Sequence, residues 1–324
     1  MGDGRTATVQ ELWRFPVKSM QGERTDTAEV TSTGLAGDRA YAVVDSETGK
    51  VGSAKHPRLW GGLLQCAARY DAPPNADAPL PAVTIRLPDG GETGTIDPEV
   101  DRRLSELLGH PVRLTSVAPD GNAYQAVWPD IDGVIPDDYL RQIAADAPEA
   151  DGTLTELSLA LASAPGTFFD VAALHVLNAA TLRHLVEAQP ASRFAVQRYR
   201  PNIVVDSSDP PFAENTWTGA TVRFGTAVQA SVLLPTMRCI MTTLAQGDLP
   251  GTTTCCGRSA ASTASRSPGW GPGRASAPMP PWLHRARCGS ATRSSSTNRR
   301  RTRPPATGSC HRSGWGTSPS ASRV

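Results

Sequence analysis

The sequence predicts a mixed α/β, strand-dominated fold, and three observations carry that reading. Short runs rich in valine, threonine and aromatics recur through the first 115 residues with turn chemistry between them. Apolar residues at helical spacing stand out in only two places before residue 250. Beyond residue 250 the hydrophobic periodicity stops altogether.

In the first part the expected strands are residues 7–15, 27–31, 39–45, 63–70, 83–87 and 112–116. Turn-formers such as Ser46-Glu47-Thr48-Gly49 and Pro88-Asp89-Gly90-Gly91 separate them, a spacing that suggests a small barrel or sandwich. One helix interrupts the series. Asp97 caps it, Pro98 suits its first turn, Leu104, Leu107 and Leu108 share a face, and Gly109 ends it. The proline-rich run 72–81 is a loop, because prolines remove ladder donors and restrict their neighbours. Residues 117–152, rich in Asp, Pro and Gly, form a second long excursion.

Order returns from Thr153. Leu174, Leu177, Thr181, Leu182 and Leu185 recur at helical spacing and predict a buried helix over 171–187, with Asp170 at its head as a cap. His175 and His184 fall in that apolar pattern and read as packed or surface side chains. Strands are expected at 203–205, 221–224 and 228–234.

The last segment is chemically a different chain. Residues 251–324 hold one leucine, one valine, no isoleucine, no acid and 12 arginines, so they cannot bury enough apolar surface to offset their ordering entropy, and a disordered tail is expected. Arginine without lysine, beside scattered Trp and Cys, also resembles GC-rich coding DNA read in another frame. The adjacent Cys255 and Cys256, even with Cys288, Cys310, His284 and His311, lack the spacing that folds two sulfurs around one zinc ion. Arg299-Arg300-Arg301-Thr302-Arg303 reads as a solvated charge run, not a specific nucleic-acid site.

Composition narrows the function classes. The polar N-terminus Met1-Gly2-Asp3-Gly4-Arg5-Thr6 and the lack of a long apolar run predict no membrane insertion and a cytoplasmic protein. Only Cys66 and Cys239 precede residue 250, too few for a secreted disulfide scaffold.

Four short clusters carry chemistry. In Phe15-Pro16-Val17-Lys18-Ser19-Met20 a strand ends on a proline, and the cation and hydroxyl of Lys18 and Ser19 can hold a phosphate. Gly34-Leu35-Ala36-Gly37-Asp38-Arg39 is a glycine-bracketed turn that delivers Arg39, whose guanidinium suits bidentate anion binding, or whose pairing with Asp38 stabilises the turn. Arg200 and Asn202 straddle Pro201 before a buried strand, and alternation puts both on one side if the segment is extended. In Arg238-Cys239-Ile240-Met241-Thr242-Thr243 a cysteine stands beside an arginine whose charge favours the thiolate, the form that ligates metals.

Taken together and in this order, the four motifs resemble the MOSC proteins, a family that includes the mitochondrial amidoxime-reducing components; the resemblance spans roughly residues 7–250. It implies an N-terminal β domain over 1–115, a MOSC β-barrel domain with a few helices over 116–250, truncated where relatives continue after Gln246-Gly247-Asp248-Leu249-Pro250, and the aberrant tail 251–324. It further implies a molybdenum cofactor (molybdopterin) whose metal takes the Cys239 thiolate as ligand, in keeping with the softness of sulfur donors. Lys18, Ser19, Arg39, Arg200 and Asn202 match the residues that hold the pterin, with Arg238 and Thr181 as further candidates. The implied activity is a molybdenum-dependent oxidoreductase, reducing small N-hydroxylated or other N-oxygenated substrates with electrons from a separate donor protein. Two other readings follow from the same residues: a carrier of sulfur as a Cys239 persulfide, or an inactive product of a frameshift.

Overall fold

The computed structural model describes residues 6–119, 123–127, 154–158, 167–236 and 238–252. Most of the excursion expected at 117–152, and the tail beyond 252, lie outside the described residues. In chain order the strands are β1 (Ala7–Arg14), β2 (Glu23–Thr25), β3 (Val30–Thr31), β4 (Gly34–Leu35), β5 (Ala42–Asp45), β6 (Ala67–Tyr70), β7 (Val83–Arg86), β8 (Glu92–Gly94), β9 (Val112–Thr115), β10 (Ala123–Val127), β11 (Leu154–Ser158), β12 (Val176–Asn178), β13 (Ile203–Ser207), β14 (Thr221–Phe224) and β15 (Val228–Ser231). The helices are α1 (Pro57–Trp60), α2 (Val100–Leu108), α3 (Ala179–Ala188) and α4 (Val196–Tyr199), with 3₁₀ turns at Gly61–Gln65, Ala213–Thr216 and Ile240–Thr242. The strand-dominated mixed α/β class is as the sequence predicts. Among the described residues no helix is long and apolar enough to cross a membrane.

A four-stranded sheet, ordered β12-β13-β1-β2, joins the start of the chain to its second half. β1 runs antiparallel to β13, from Ala7 opposite Ser207 to Leu12 opposite Ile203, with a shift in register between Val9 and Glu11. On its other edge β1 pairs with β2, while β12 lies parallel to β13. Smaller ladders, β6-β7-β8 and β5-β9, wrap the first core. Alternation along β5 sends Val43 into a cluster with Val17, Met20, Trp60, Leu63 and Ile85, and sends Ala42 and Val44 to the opposite face against Tyr124, Ala126 and Phe168.

Several elements differ from the sequence reading. The expected strand 63–70 is split, because Leu63 and Leu64 turn through a 3₁₀ segment into two separate clusters before β6 begins. β10 lies within the expected loop, where Tyr124 and Ala126 bury against β5. The helix expected over 171–187 starts only at Ala179. Main-chain pairing with β13 draws residues 176–178 into a strand, and Asn178, not Asp170, caps α3 by accepting from the Ala180 N–H at 3.0 Å. Helix α2 ends as expected, with Gly109 closing it in the left-handed region at φ 75°, but it starts later than expected. Glu99, not Asp97, stands at its N-cap without a side-chain cap bond, and Asp97 instead accepts from the Glu99 N–H at 2.9 Å in the turn ahead of the helix.

Candidate active site

The turn after β4 sets the first wall of the site. Gly37, at φ 77°, bends the chain so that Asp38 is buried and Arg39 follows it at φ 48°. Asp38 accepts from the Phe15 N–H at 2.7 Å and from Asn202 Nδ2 at 2.9 Å, and it pairs with Arg39. Arg39 also donates to the Arg200 carbonyl at 3.2 Å. The guanidiniums of Arg39 and Arg200 both stack on the Phe15 ring, at 4.8 and 4.3 Å from its centroid.

Arg200 and Asn202 do not alternate along an extended segment, as the sequence suggests. Helix α4 ends on Arg200 in the left-handed region at φ 53°, which turns Arg200 Nη1 onto the Met20 carbonyl at 2.5 Å. Asn202 faces inward, where its Oδ1 accepts from the His175 N–H at 3.1 Å. Among the described non-glycine residues, positive φ occurs at Ser19, Arg39, Arg200 and Phe212. Such backbone costs roughly 1–3 kcal/mol at each position and persists where surrounding contacts over-determine it. Three of the four are residues the sequence singles out, and all four line one cavity.

That cavity measures about 420 Å³ and is lined by Lys18, Ser19, Arg39, Thr181, Arg200, Asn202, Arg238 and Cys239. All eight sequence candidates are therefore gathered on one wall system, although they come from widely separated stretches of chain. The Ser19 hydroxyl accepts from the Ala54 N–H at 3.0 Å. Thr181 spends its hydroxyl on the neighbouring turn, donating to Glu214 at 2.9 Å and accepting from the Phe212 N–H at 2.8 Å. Arg238 reaches His175 Nε2 at 3.3 Å and stacks on Tyr199 at 5.1 Å.

Lys18 is more deeply engaged than a free phosphate ligand would be. Its side chain is 5% exposed, and the ammonium donates to the Phe168 carbonyl at 2.9 Å and pairs with Asp170. Burial lowers its proton affinity, and the charge of Asp170 only partly restores it. Lys55 shares the same carboxylate at 3.0 Å and donates to the Tyr124 hydroxyl at 3.4 Å. Burial alone would lower Lys55, but Asp170, Tyr124 and the Cys239 sulfur outweigh it and hold the ammonium firmly protonated. Burial likewise opposes ionisation of Asp170, yet the two lysines hold it well below the usual carboxylate range.

The sequence reading missed Lys55 and underrated Asp170 and His175. Lys55 lies in an ordinary polar stretch with no local signal, while the apolar periodicity around 171–187 disguised the other two. His175 sits where the Arg200 and Arg238 segments meet: Nε2 accepts from Arg238, so Nδ1 carries the hydrogen and faces the Arg200 carbonyl at 3.4 Å. Burial, Arg238 and Arg39 push its pKa down to about 3, so it is neutral at physiological pH. Burial and Arg39 also lower Arg200, whose proton affinity Asp38, Asp170 and the Cys239 sulfur support.

The two described cysteines are sharply unlike. Cys66 is buried in the first core, where burial and Asp89 push its thiol up to about 12. Cys239 is half-buried, packs beside Ala54, Leu64 and Met241, and lines the cavity within electrostatic reach of Lys55 and Arg200. A single sulfur in a cationic cavity suits a metal that arrives already bound to an anionic organic ligand. The donor set thus fits the molybdenum cofactor that the motifs imply.

Comparison with known families agrees with this geometry. The MOSC N-terminal beta barrel domain matches residues 6–71, and the MOSC domain matches residues 165–273, running past Pro250. MOSC domains are associated with molybdenum-cofactor sulfurase and oxidoreductase-type proteins. No curated protein matches the chain. With both modules matched in their expected order and all eight candidate residues drawn from them, the chain belongs to the MOSC domain proteins.

Proposed function

We propose that this protein is a molybdenum-cofactor oxidoreductase of the amidoxime-reducing type, acting on small N-hydroxylated or other N-oxygenated substrates with a separate protein as electron donor. The observation that carries the reading is the convergence of all eight candidates on the cavity that Cys239 lines. On this reading Cys239 supplies the protein's sulfur to the metal. Arg39 and Arg200 stand as fixed cations for the anionic pterin, and Lys18, Ser19, Asn202, Arg238 and Thr181 complete its seat. The cofactor, when bound, supplies the two-electron reduction that removes the substrate oxygen.

The chain's own part is electrostatic and positional. Lys55 retains its proton at neutral pH and is an ammonium donor at the cavity wall, whereas His175 is neutral and acts as an acceptor. Phe212, Trp217 and Phe224 are among the apolar side chains that line the cavity and exclude water from an apolar substrate.

The test is molybdenum and pterin analysis of the full chain produced with an ample supply of the cofactor. Stoichiometric metal is expected in the wild type. Cys239→Ala is expected to lose the metal and benzamidoxime reduction with an unchanged circular dichroism spectrum. A wild-type protein free of molybdenum, or a Cys239→Ala variant that still turns over, overturns the proposal. Cyanide-releasable sulfur on Cys239 without metal would point instead to the persulfide carrier.

A further inference from the structure

Arg198 is among the largest fully buried side chains, 1% exposed, yet it lies outside the cofactor set described above. Its guanidinium serves four backbone carbonyls. Nε donates to Arg193 at 2.8 Å, Nη1 to Leu244 at 2.9 Å and Thr242 at 3.3 Å, and Nη2 to Pro250. Three of these acceptors belong to the segment 239–250, the Cys239 turn and the chain that follows it. The donor sits on α4, two residues before Arg200.

We propose that Arg198 is the positioning residue that locks the Cys239 turn to the segment bearing Arg200 and Asn202, and so sets where the sulfur stands in the cavity. Carbonyls at the end of a short 3₁₀ turn lack partners within it, and a planar fork of N–H donors satisfies several at once. Lysine cannot do this, because three donors on one atom do not span acceptors spread from residue 242 to residue 250. Other contacts within the turn are local: Gln246 Nε2 donates to the Met241 carbonyl at 2.8 Å, and Thr242 Oγ1 to the Cys239 carbonyl at 3.1 Å. These shape the turn. The Arg198 fork anchors it to α4, while Gln65 Nε2 ties its far side to the first core through the Ala245 carbonyl at 2.8 Å. The consequence for the metal rests on the proposed function, but the anchoring itself does not.

The experiment compares the wild type, Arg198→Lys and Arg198→Ala as full chains by hydrogen–deuterium exchange with peptide-resolved mass spectrometry, and in parallel measures molybdenum retention. Arg198→Lys is expected to speed exchange over 240–252 roughly tenfold, the loss of one charge-assisted hydrogen bond, with α2 unchanged and molybdenum retention reduced. Millimolar guanidinium chloride is expected to restore both readouts in Arg198→Ala by refilling the vacated site. Unchanged exchange over 240–252 overturns the proposal. Should either variant loosen α2 as well, recovery with guanidinium decides the matter, and its failure also overturns the proposal. A wild type without molybdenum would sink the functional reading while leaving the exchange result to judge Arg198.

Discussion

Asp170 shows how much a single carboxylate carries in this molecule. It is shared by Lys18 and Lys55, and Asp170→Asn would leave two ammoniums without their counter-charge. Because 35% of the Asp170 side chain remains exposed toward the cavity, the expected cost at pH 7 is about 2 kcal/mol, less than for a sealed pair. A depressed carboxylate stabilises the fold above its unfolded pKa, and the benefit fades as pH falls below about 4. Urea denaturation at pH 7 and pH 3 should therefore show the gap between wild type and variant shrinking in acid. His175 works in the same sense, in a window that begins at higher pH. Its folded pKa, about 3, lies below the unfolded value, so the unfolded chain binds the extra proton and stability falls as pH drops from about 6.5 toward 3. His175→Gln should flatten that acid limb, by up to about 1.4 kcal/mol per pH unit. An unaltered slope would mean that the imidazole is protonated in the folded protein.

At the scale of elements, tight turns aim the site, and they can be tested in pairs. A Cβ on Gly37 would lie 2.7 Å from the Tyr70 ring and 2.8 Å from Pro74, on backbone at φ +77°. Gly37→Ala should cost about 3 kcal/mol, combining left-handed strain with overpacking, and should lower molybdenum retention by displacing Arg39. Gly49 has a similar φ of +71° but no described atom within 4 Å of its would-be Cβ. Gly49→Ala should cost about 1 kcal/mol and leave retention intact. Equal losses for the two would remove the argument that the β4–Arg39 turn aims the site. The same scale explains the misread helix. Leu177, Leu182 and Leu185 do bury together with Phe194 and Tyr199, so these three periodic residues are core as expected, whereas Leu174 is only half-buried. Periodicity reports burial, however, and three residues of that run obtain their hydrogen bonds from β13 instead of from a helical turn.

For the molecule as a whole, the pairing of β1 with β13 is the decisive feature, because it fastens residues 7–12 to a strand about two hundred positions later. Unfolding should therefore be shared by the segments that carry β1 and β13. Ile203→Ala, at a site 3% exposed and opposite Leu12, should cost about 2–5 kcal/mol. Tryptophan fluorescence and far-ultraviolet circular dichroism should give coincident midpoints, both lowered in the variant. Separate midpoints would show that the two halves unfold independently.

The sequence by itself determined the strand-dominated class, most strands of the first 115 residues, the apolar face and Gly109 end of α2, and seven of the eight candidates on the cavity, because each is written in local chemistry: alternation, turn residues, the C-terminal glycine, and four motifs in order. It could not supply Lys55, the sharing of Asp170, or the bonds of His175 and Arg198. Those partners lie from tens to about 150 residues apart, and only the closing of β1 on β13 and the packing of the Cys239 turn on α4 bring their charges within hydrogen-bond reach. Local pattern sets what a segment can become, and long-range pairing decides which side chains meet, since it satisfies backbone groups that no local period can assign.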